Sequence, residues 1–406
     1  MENSMGFRFE STGYTSKSID KFIKKIFLFL CPILFLLSEK SSIFHFLDAL
    51  HVKHFVIMLV VFVGVIANIN QIKKFKEVRN ILLMTGILFL ISSFLQLSHG
   101  RFEFYSIEEI YYFLIPIFFS SLVLIEFNQK DIDLYFFILT CVLIFCYIDH
   151  TFINNPGLSF ENLKKMFDLR LLIMESNSPI NSESGIATYF MMLLLYYGFK
   201  NKKRMMIICF IGVLFCYKRI PTIFALLYMA YYLLFRNKNW KSVNRFIYIS
   251  TIVIFAILPL CLEFFYSASF AKWFTSITGL EFDTFTMTRY QIVTLVRNNN
   301  IMHMGLGSIT NFLEVLGLPG QTSLHSDILR IYYECTILGS IILSLIMFKI
   351  TKRNIYSYIL ILFLVCQMIF DHPLGVGTIS IWIIAYPILL YFNKQYEKKS
   401  LIKKGE

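Results

Sequence analysis

The chain has 406 residues, of which 57% are hydrophobic and only 16% charged, with a net charge of +12. A soluble domain of this size carries more charge, and the apolar residues here come in blocks of Phe, Ile, Leu and Tyr rather than in an amphipathic rhythm. The basic residues sit in short tufts between those blocks, which argues against a nucleic-acid partner and for topology signals at a membrane.

Hydrocarbon forces each such block to be helical, because every backbone N–H and C=O there must be paired internally. In chain order the predicted helices are Phe22–Leu37, Phe55–Ile69, Ile81–Leu97, Ile110–Ile125, Ile132–Ile148, Gly185–Phe199, Met205–Tyr217, Ile220–Phe235, Phe246–Leu262, Ile328–Phe348, Ile355–Phe370 and Gly375–Phe392. Several fall short of the roughly 20 residues that span a bilayer, so flanking polar residues extend them. Lys24 and Lys25 interrupt the first. The expected fold is one all-α polytopic integral membrane domain over residues 1–406, with about 12 transmembrane helices.

With the amino terminus inside, one face collects Lys73, Lys74, Lys76 and Arg79, then Lys200, Lys202, Lys203 and Arg204. Arg236, Lys238, Lys241 and Arg245, then Lys349, Lys352 and Arg353, and both lysine-rich tails, join them. That is the bias insertion machinery reads, and it places both termini in the cytoplasm. Residues 1–20 are polar and Ser38-Glu39-Lys40 follows the first apolar run, so no cleavable signal peptide is expected. The eight Cys are scattered singly with no CxxC pair, as small buried hydrophobes rather than a metal or disulfide framework.

Two long segments then lie outside, residues 149–184 and 263–326. The second is too long for a connector and reads as a working part. Its apolar pieces, Phe264-Phe265-Tyr266 and Trp273-Phe274, suit short helices on the membrane surface.

Three places on that outer face keep charge against the trend. Lys218-Arg219 fills a tight turn between the seventh and eighth spans, either snorkelling to headgroups or forming an anion site. Arg289 and Arg297 flank a run in which Ile292, Val293, Leu295 and Val296 recur at helical spacing. A short amphipathic helix starting near Arg289 is predicted, with pairing to Glu281 or Asp283 as the alternative use of that charge. The third place is Gly305-Leu306-Gly307-Ser308, followed by His325-Ser326-Asp327 at the mouth of the tenth span. Asp327, Arg330 and Glu334 fall along one stripe, a ladder that neutralises charge in the membrane, while His325 lies off it. Asp371-His372-Pro373, in the last outer turn, is a secondary candidate. Several Arg and a His at one membrane surface suit a diphosphate: guanidinium groups bind phosphate oxygens bidentately, and a neutral imidazole accepts a proton from an attacking hydroxyl.

These residues carry a resemblance. Gly305-Leu306-Gly307, then His325-Ser326-Asp327-Ile328-Leu329, then Tyr333-Glu334-Cys335-Thr336-Ile337-Leu338-Gly339 resemble the Gly-x-Gly, His and Glu…Gly elements of bacterial O-antigen polymerases, in a superfamily shared with the O-antigen ligases. Arg219 after the seventh span, Arg289 before the Gly-x-Gly, the span count and the large outer loop fit the same pattern. Ser326 stands where the family often has Asn. Arg-x-Gly repeats are absent, and the first outer loop offers only Lys164, Lys165 and Arg170 as cations, so a two-loop catch-and-hold scheme is not implied.

The resemblance implies a glycosyltransferase of the bacterial inner membrane. It would move a growing glycan from undecaprenyl diphosphate to an incoming lipid-linked repeat unit at the periplasmic face, without metal or cofactor. Arg219, Arg289 and His325 are then the expected catalytic residues, and Lys218, Arg297, Arg330 and Asp327 the expected substrate-binding ones. A chain-length regulator protein is the further expected partner. The alternatives are an O-antigen ligase and a lipid-linked oligosaccharide transporter. Charges gathered at one face, with no visible internal repeat, tell against the transporter. No Walker motif, Rossmann fingerprint or Asp-x-Asp pair appears.

Overall fold

The computed structural model describes residues 16–49, 52–100, 105–153, 164, 185–235, 242–286, 288–317, 324–351, 354–370, 373–374 and 379–405. Every regular element among them is helical, apart from one isolated bridge between Ser242 and Asn354. The helices are α1 (Ser16–Lys40), α2 (Phe46–Ala49), α3 (Val52–Ile72), α4 (Lys76–Ser98), α5 (Tyr105–Glu126) and α6 (Gln129–Ile148), the last running into a π-helical turn, Asp149–Ile153. Then come α7 (Ile186–Phe199), α8 (Lys203–Phe215), α9 (Arg219–Phe235) and α10 (Arg245–Phe265). Four short helices follow: α11 (Ala268–Thr278), α12 (Phe282–Thr286), α13 (Arg289–Asn298) and α14 (Ser308–Leu316). The chain closes with α15 (Asp327–Lys349), α16 (Ile355–Phe370) and α17 (Ile379–Gly405).

Six of these are long and apolar enough to cross a membrane: α3, α4, α5, α6 with its π-helical extension, α10 and α15. The chain is therefore an all-α, multi-pass membrane protein. α7 and α16 are shorter apolar helices, as is α9 from Arg219 to Leu234. Local chemistry fixes several helix starts. Asn128 accepts from the backbone N–H of Lys130 and Asp131, and Asp131 accepts in return from the Asn128 N–H, a capping box that begins α6.

Burial sorts the helices. Every residue of α7 from Ile186 to Gly198 is buried, so this helix is the central post. On the periphery α3 exposes Phe55, Phe62 and Ile66, and α10 exposes Phe246, Ile254 and Phe264. Apolar faces of that size suit lipid rather than water. Polar contacts gather at the two ends of the bundle. At one end Lys25 pairs with Asp131 at 2.6 Å, and Lys200 and Lys202 each meet Asp133 at 3.2 Å. At the other, Ser41 donates to Asp149 at 2.6 Å, and Lys53 pairs with Glu39 at 3.2 Å.

The segment after α10 folds as a cap with its own core. Tyr266, Phe282, Ile292, Val293, Val296, Ile309 and Leu313 pack together and against Leu324, Leu329 and Tyr333, where α15 begins. Of the two pieces expected as short helices, Trp273-Phe274 lies on α11, whereas Phe264-Phe265 ends α10 and Tyr266 caps it; α13 starts at Arg289 with Ile292, Val293 and Val296 on its buried side. Of the first large loop only residues 149–153 and 164 are described, so its expected cations Lys165 and Arg170 lie outside the described residues.

Candidate functional site

The turn before α9 is tight because Tyr217 adopts a left-handed backbone, φ +58°. Its side chain is buried, and the chain then enters α9 at Arg219, with Pro221 accommodated in the first turn. Lys218 and Arg219 are both half-buried. The Nε of Arg219 is buried and has no hydrogen-bond partner. It sits where the α9 macrodipole already favours an anion.

Left-handed backbone recurs at the other two places. Thr288, φ +64°, immediately precedes Arg289, and His325, φ +50°, immediately precedes the α15 N-cap. Residues held in this region cost free energy and concentrate where the surrounding structure fixes a side chain for a task. Asp283 receives the N–H of Gln291 at 3.2 Å on its carboxylate and the N–H of Thr288 at 3.1 Å on its carbonyl. It thus anchors the start of α13. Half-buried Arg289 lies in electrostatic reach of Tyr266, whose phenol burial pushes up and Arg289 pulls down.

Arg297, expected at the substrate, is instead built into the cap. Its Nε donates to the Tyr333 hydroxyl at 3.0 Å, and its two terminal nitrogens donate to the carbonyls of Tyr266 (2.6 Å) and Glu263 (2.9 Å). An ion pair to the Glu263 carboxylate at 2.9 Å completes the set. Burial works against its charge, but Tyr333 and Glu263 outweigh that and raise its pKa.

Arg330 and Asp327, also expected at the substrate, likewise have partners within the protein. Arg330 is 2% exposed and Asp327 fully buried. The guanidinium forks both oxygens of Glu109 on α5, one of them at 3.1 Å, and also meets Asp327 at 3.2 Å and Glu334 at 3.5 Å. Asp327 receives the Leu374 N–H at 2.6 Å, and Glu334 that of Ile309 at 3.2 Å. The expected stripe exists, but it is a sealed clamp joining α5, α14, α15 and the α16–α17 turn. Each nitrogen of the Arg330 guanidinium donates within the protein.

The Gly-x-Gly element is a joint. Gly305 (φ +92°) and Gly307 (φ +80°) take conformations that L side chains rarely adopt. A Cβ at Gly305 would lie 2.8 Å from the Ser92 carbonyl, and one at Gly307 2.9 Å from the Tyr105 backbone. Between them Leu306 donates to Ser92 (2.8 Å) and accepts from Ser106 (2.7 Å) and Gln96 (3.2 Å). α15 breaks at Cys335–Thr336, and this frees the carbonyls of Tyr333 and Glu334 to take the N–H groups of His303 (2.5 Å) and Gly305 (2.9 Å). The two halves of the motif therefore meet through backbone.

Nothing among the family models, curated proteins or solved structures matches this chain.

His325 is half-exposed and joins two parts of the molecule. On one side Leu324 belongs to the cap core with Ile292 and Val293 of α13. On the other, Ser326 donates to the Met368 carbonyl near the end of α16, at 3.4 Å. α9 runs antiparallel to α16: Phe224 stacks edgewise on Phe363 at 5.4 Å, and Tyr228 lies in electrostatic reach of Tyr356. At 1.5 Å per residue, that pairing brings Arg219 level with Gln367 and Met368. The turn that carries His325 is thus bonded near one end of α16, while Arg289 lies in the cap. Asp371 and His372 lie outside the described residues.

Two residues escaped sequence reasoning. Glu109 is the main partner of Arg330, and its only signal is a carboxylate beside Glu108 at the edge of the fourth apolar run. His303, φ +64°, is half-buried, stands edge-on to Tyr332 at 6.2 Å, and its buried Nδ1 has no partner. Burial holds its pKa below the usual imidazole value, with Glu263 opposing and His99 reinforcing. Two largely apolar cavities lie away from all these residues, one of about 210 Å³ between α1, α3 and α5 and one of about 460 Å³ between α3 and α5. Among the described residues no group of three His, Cys, Asp or Glu is placed to hold a metal.

Proposed function

We propose that this chain is a glycosyltransferase of the O-antigen polymerase type, joining lipid-linked oligosaccharide repeat units on undecaprenyl diphosphate at the outer face of a bacterial inner membrane. The observation that carries the reading is Arg219. A half-buried guanidinium with an unpartnered Nε, at a helix N-terminus and level with the carbonyl that anchors the His325 turn, is a site waiting for an anion with several oxygens. The twelve apolar runs, each with a helix among its described residues, and their alternating charge support twelve crossings with both termini in the cytoplasm.

In this reading Arg219, with Lys218 beside it, and Arg289 from the cap grip the donor diphosphate and stabilise the charge that develops as it leaves. The acceptor hydroxyl attacks the anomeric carbon, the bond from that carbon to the phosphate oxygen breaks, and undecaprenyl diphosphate departs. His325 takes the proton from the attacking hydroxyl. The donor bond supplies the energy, so neither nucleotide nor metal is required. A chain-length regulator would act as partner at the cap side.

The test is genetic. Arg219→Ala, Arg289→Ala and His325→Ala should each leave single repeat units on the lipid carrier, read as a collapsed ladder of surface polysaccharide on a gel. A normal ladder in all three refutes the assignment.

A further inference from the structure

The lipid-facing side of α10 does not end with the helix. At 1.5 Å per residue the 21 residues of α10 measure about 31 Å, the thickness of a bilayer's hydrocarbon, so Phe265 stands at the boundary with the headgroups. The chain turns there at once. Ser267 donates its N–H to the Phe264 carbonyl at 3.0 Å, and its side chain accepts the N–H of Phe270 at 3.2 Å as the N-cap of α11.

α11 is amphipathic. Ala271 is buried in the cap core and Phe270 and Phe274 pack against it, whereas Ser269, Lys272 and Ser276 are exposed. Trp273 and Ile277, four apart, form a stripe beside the buried side. Both are more than half exposed, and so are Phe264 before the helix and Leu280 and Phe285 after it. Ring contacts link these residues. Phe264 meets Phe270 at 5.8 Å, Phe270 meets Trp273 at 5.2 Å, and Phe285 lies against Phe274 at 4.7 Å. The exposed apolar surface thus passes from the membrane face of α10 onto the cap. Apolar side chains gathered in this way are costly in water, and a patch that begins at the bilayer's edge is covered by the bilayer. Trp suits that boundary, and Lys272, the one charge on α11, can reach headgroup phosphates.

We propose that Trp273, Ile277, Leu280 and Phe285 seat the cap in the lipid headgroup layer on the side where α10 emerges. The occupant of this face is the bilayer surface, because the face continues the lipid contact of α10. The seat reaches Arg289. Phe282 lies against both Phe274 (5.4 Å) and Tyr290 (5.3 Å), so the depth of α11 also sets the level at which α13 begins. The proposal stands whether or not the chain is a glycosyltransferase.

The full chain in nanodiscs of phosphatidylethanolamine and phosphatidylglycerol tests it, with the native cysteines replaced and a nitroxide placed in turn at positions 254, 276, 277 and 285. All four positions are exposed, so labelling should leave the melting midpoint unchanged. Oxygen, which concentrates in lipid, and a water-soluble nickel chelate each relax the label by collision. Position 254 on α10 is the lipid reference and position 276 the aqueous one. Labels at 277 and 285 should favour oxygen over nickel several-fold more than the label at 276. A nickel-dominated response at 277 and 285, equal to that at 276, would mean a cap standing in water and overturns the proposal. Exclusion of both reagents there would mean that protein covers the face, a second copy or another partner, and overturns it too. In a chain carrying Trp273→Ser and Ile277→Ser, the label at 285 should shift toward nickel. An unshifted label would mean that these side chains do not hold the cap down, which is equally fatal.

Discussion

At the scale of single residues, partners divide the arginines. Arg330 and Arg297 are spent on carboxylates and carbonyls, whereas the Nε of Arg219 is not. Arg330→Ala leaves Glu109, Asp327 and Glu334 buried together and should destabilise the fold by about 3–5 kcal/mol, seen as a lowered melting midpoint in detergent. Arg219→Ala should change that midpoint little while abolishing product, and equal destabilisation by both would erase the distinction drawn between them. His303 offers a pH test. Its folded pKa lies below the ordinary value of about 6.5. Its contribution to stability is therefore complete above that value and is lost as pH falls below it, because the unfolded state binds the proton first. Wild-type stability should decline on acidification through this window, and His303→Asn, which tolerates a left-handed backbone, should flatten that part of the curve.

At the scale of elements, the Gly-x-Gly turn and the break in α15 are one device. Gly305→Ala and Gly307→Ala each force a Cβ into neighbouring backbone and a disfavoured φ. Losses of about 1–3 kcal/mol in unfolding free energy are expected, with polymer length falling in step. Unchanged stability in both would show that the joint yields freely. What the chain's local pattern made legible was the helices. An apolar run in hydrocarbon has no alternative to helix, and the 292, 293, 295 and 296 spacing marked α13 with Arg289 near its start. Pairings across sequence were not legible. Nothing local in α5 says that Glu109 will clamp Arg330, or that the carbonyls beside Cys335 will be freed for His303 and Gly305. The same gap hid the structural use of Arg297, since a charge on an outer loop reads alike whether its partner is a substrate or Glu263.

At the scale of the whole molecule, the all-helical, lipid-facing body was readable from composition, whereas the cap's separate core was visible only as a loop too long to be a connector. The proposed arrangement fixes a sidedness: with the native cysteines replaced, a Cys at position 219 or 289 should react with a membrane-impermeant maleimide added from outside. Labelling only from the cytoplasmic side would part the two guanidinium groups from any periplasmic substrate. The most direct measurement of the central claim uses purified protein in liposomes, given single lipid-linked repeat units and a chelator, with no nucleotide. The account predicts glycans of two and more repeat units still attached to undecaprenyl diphosphate, and none with Arg219→Ala. Single units that stay single with the wild-type protein, in liposomes where it is folded and correctly oriented, would contradict it.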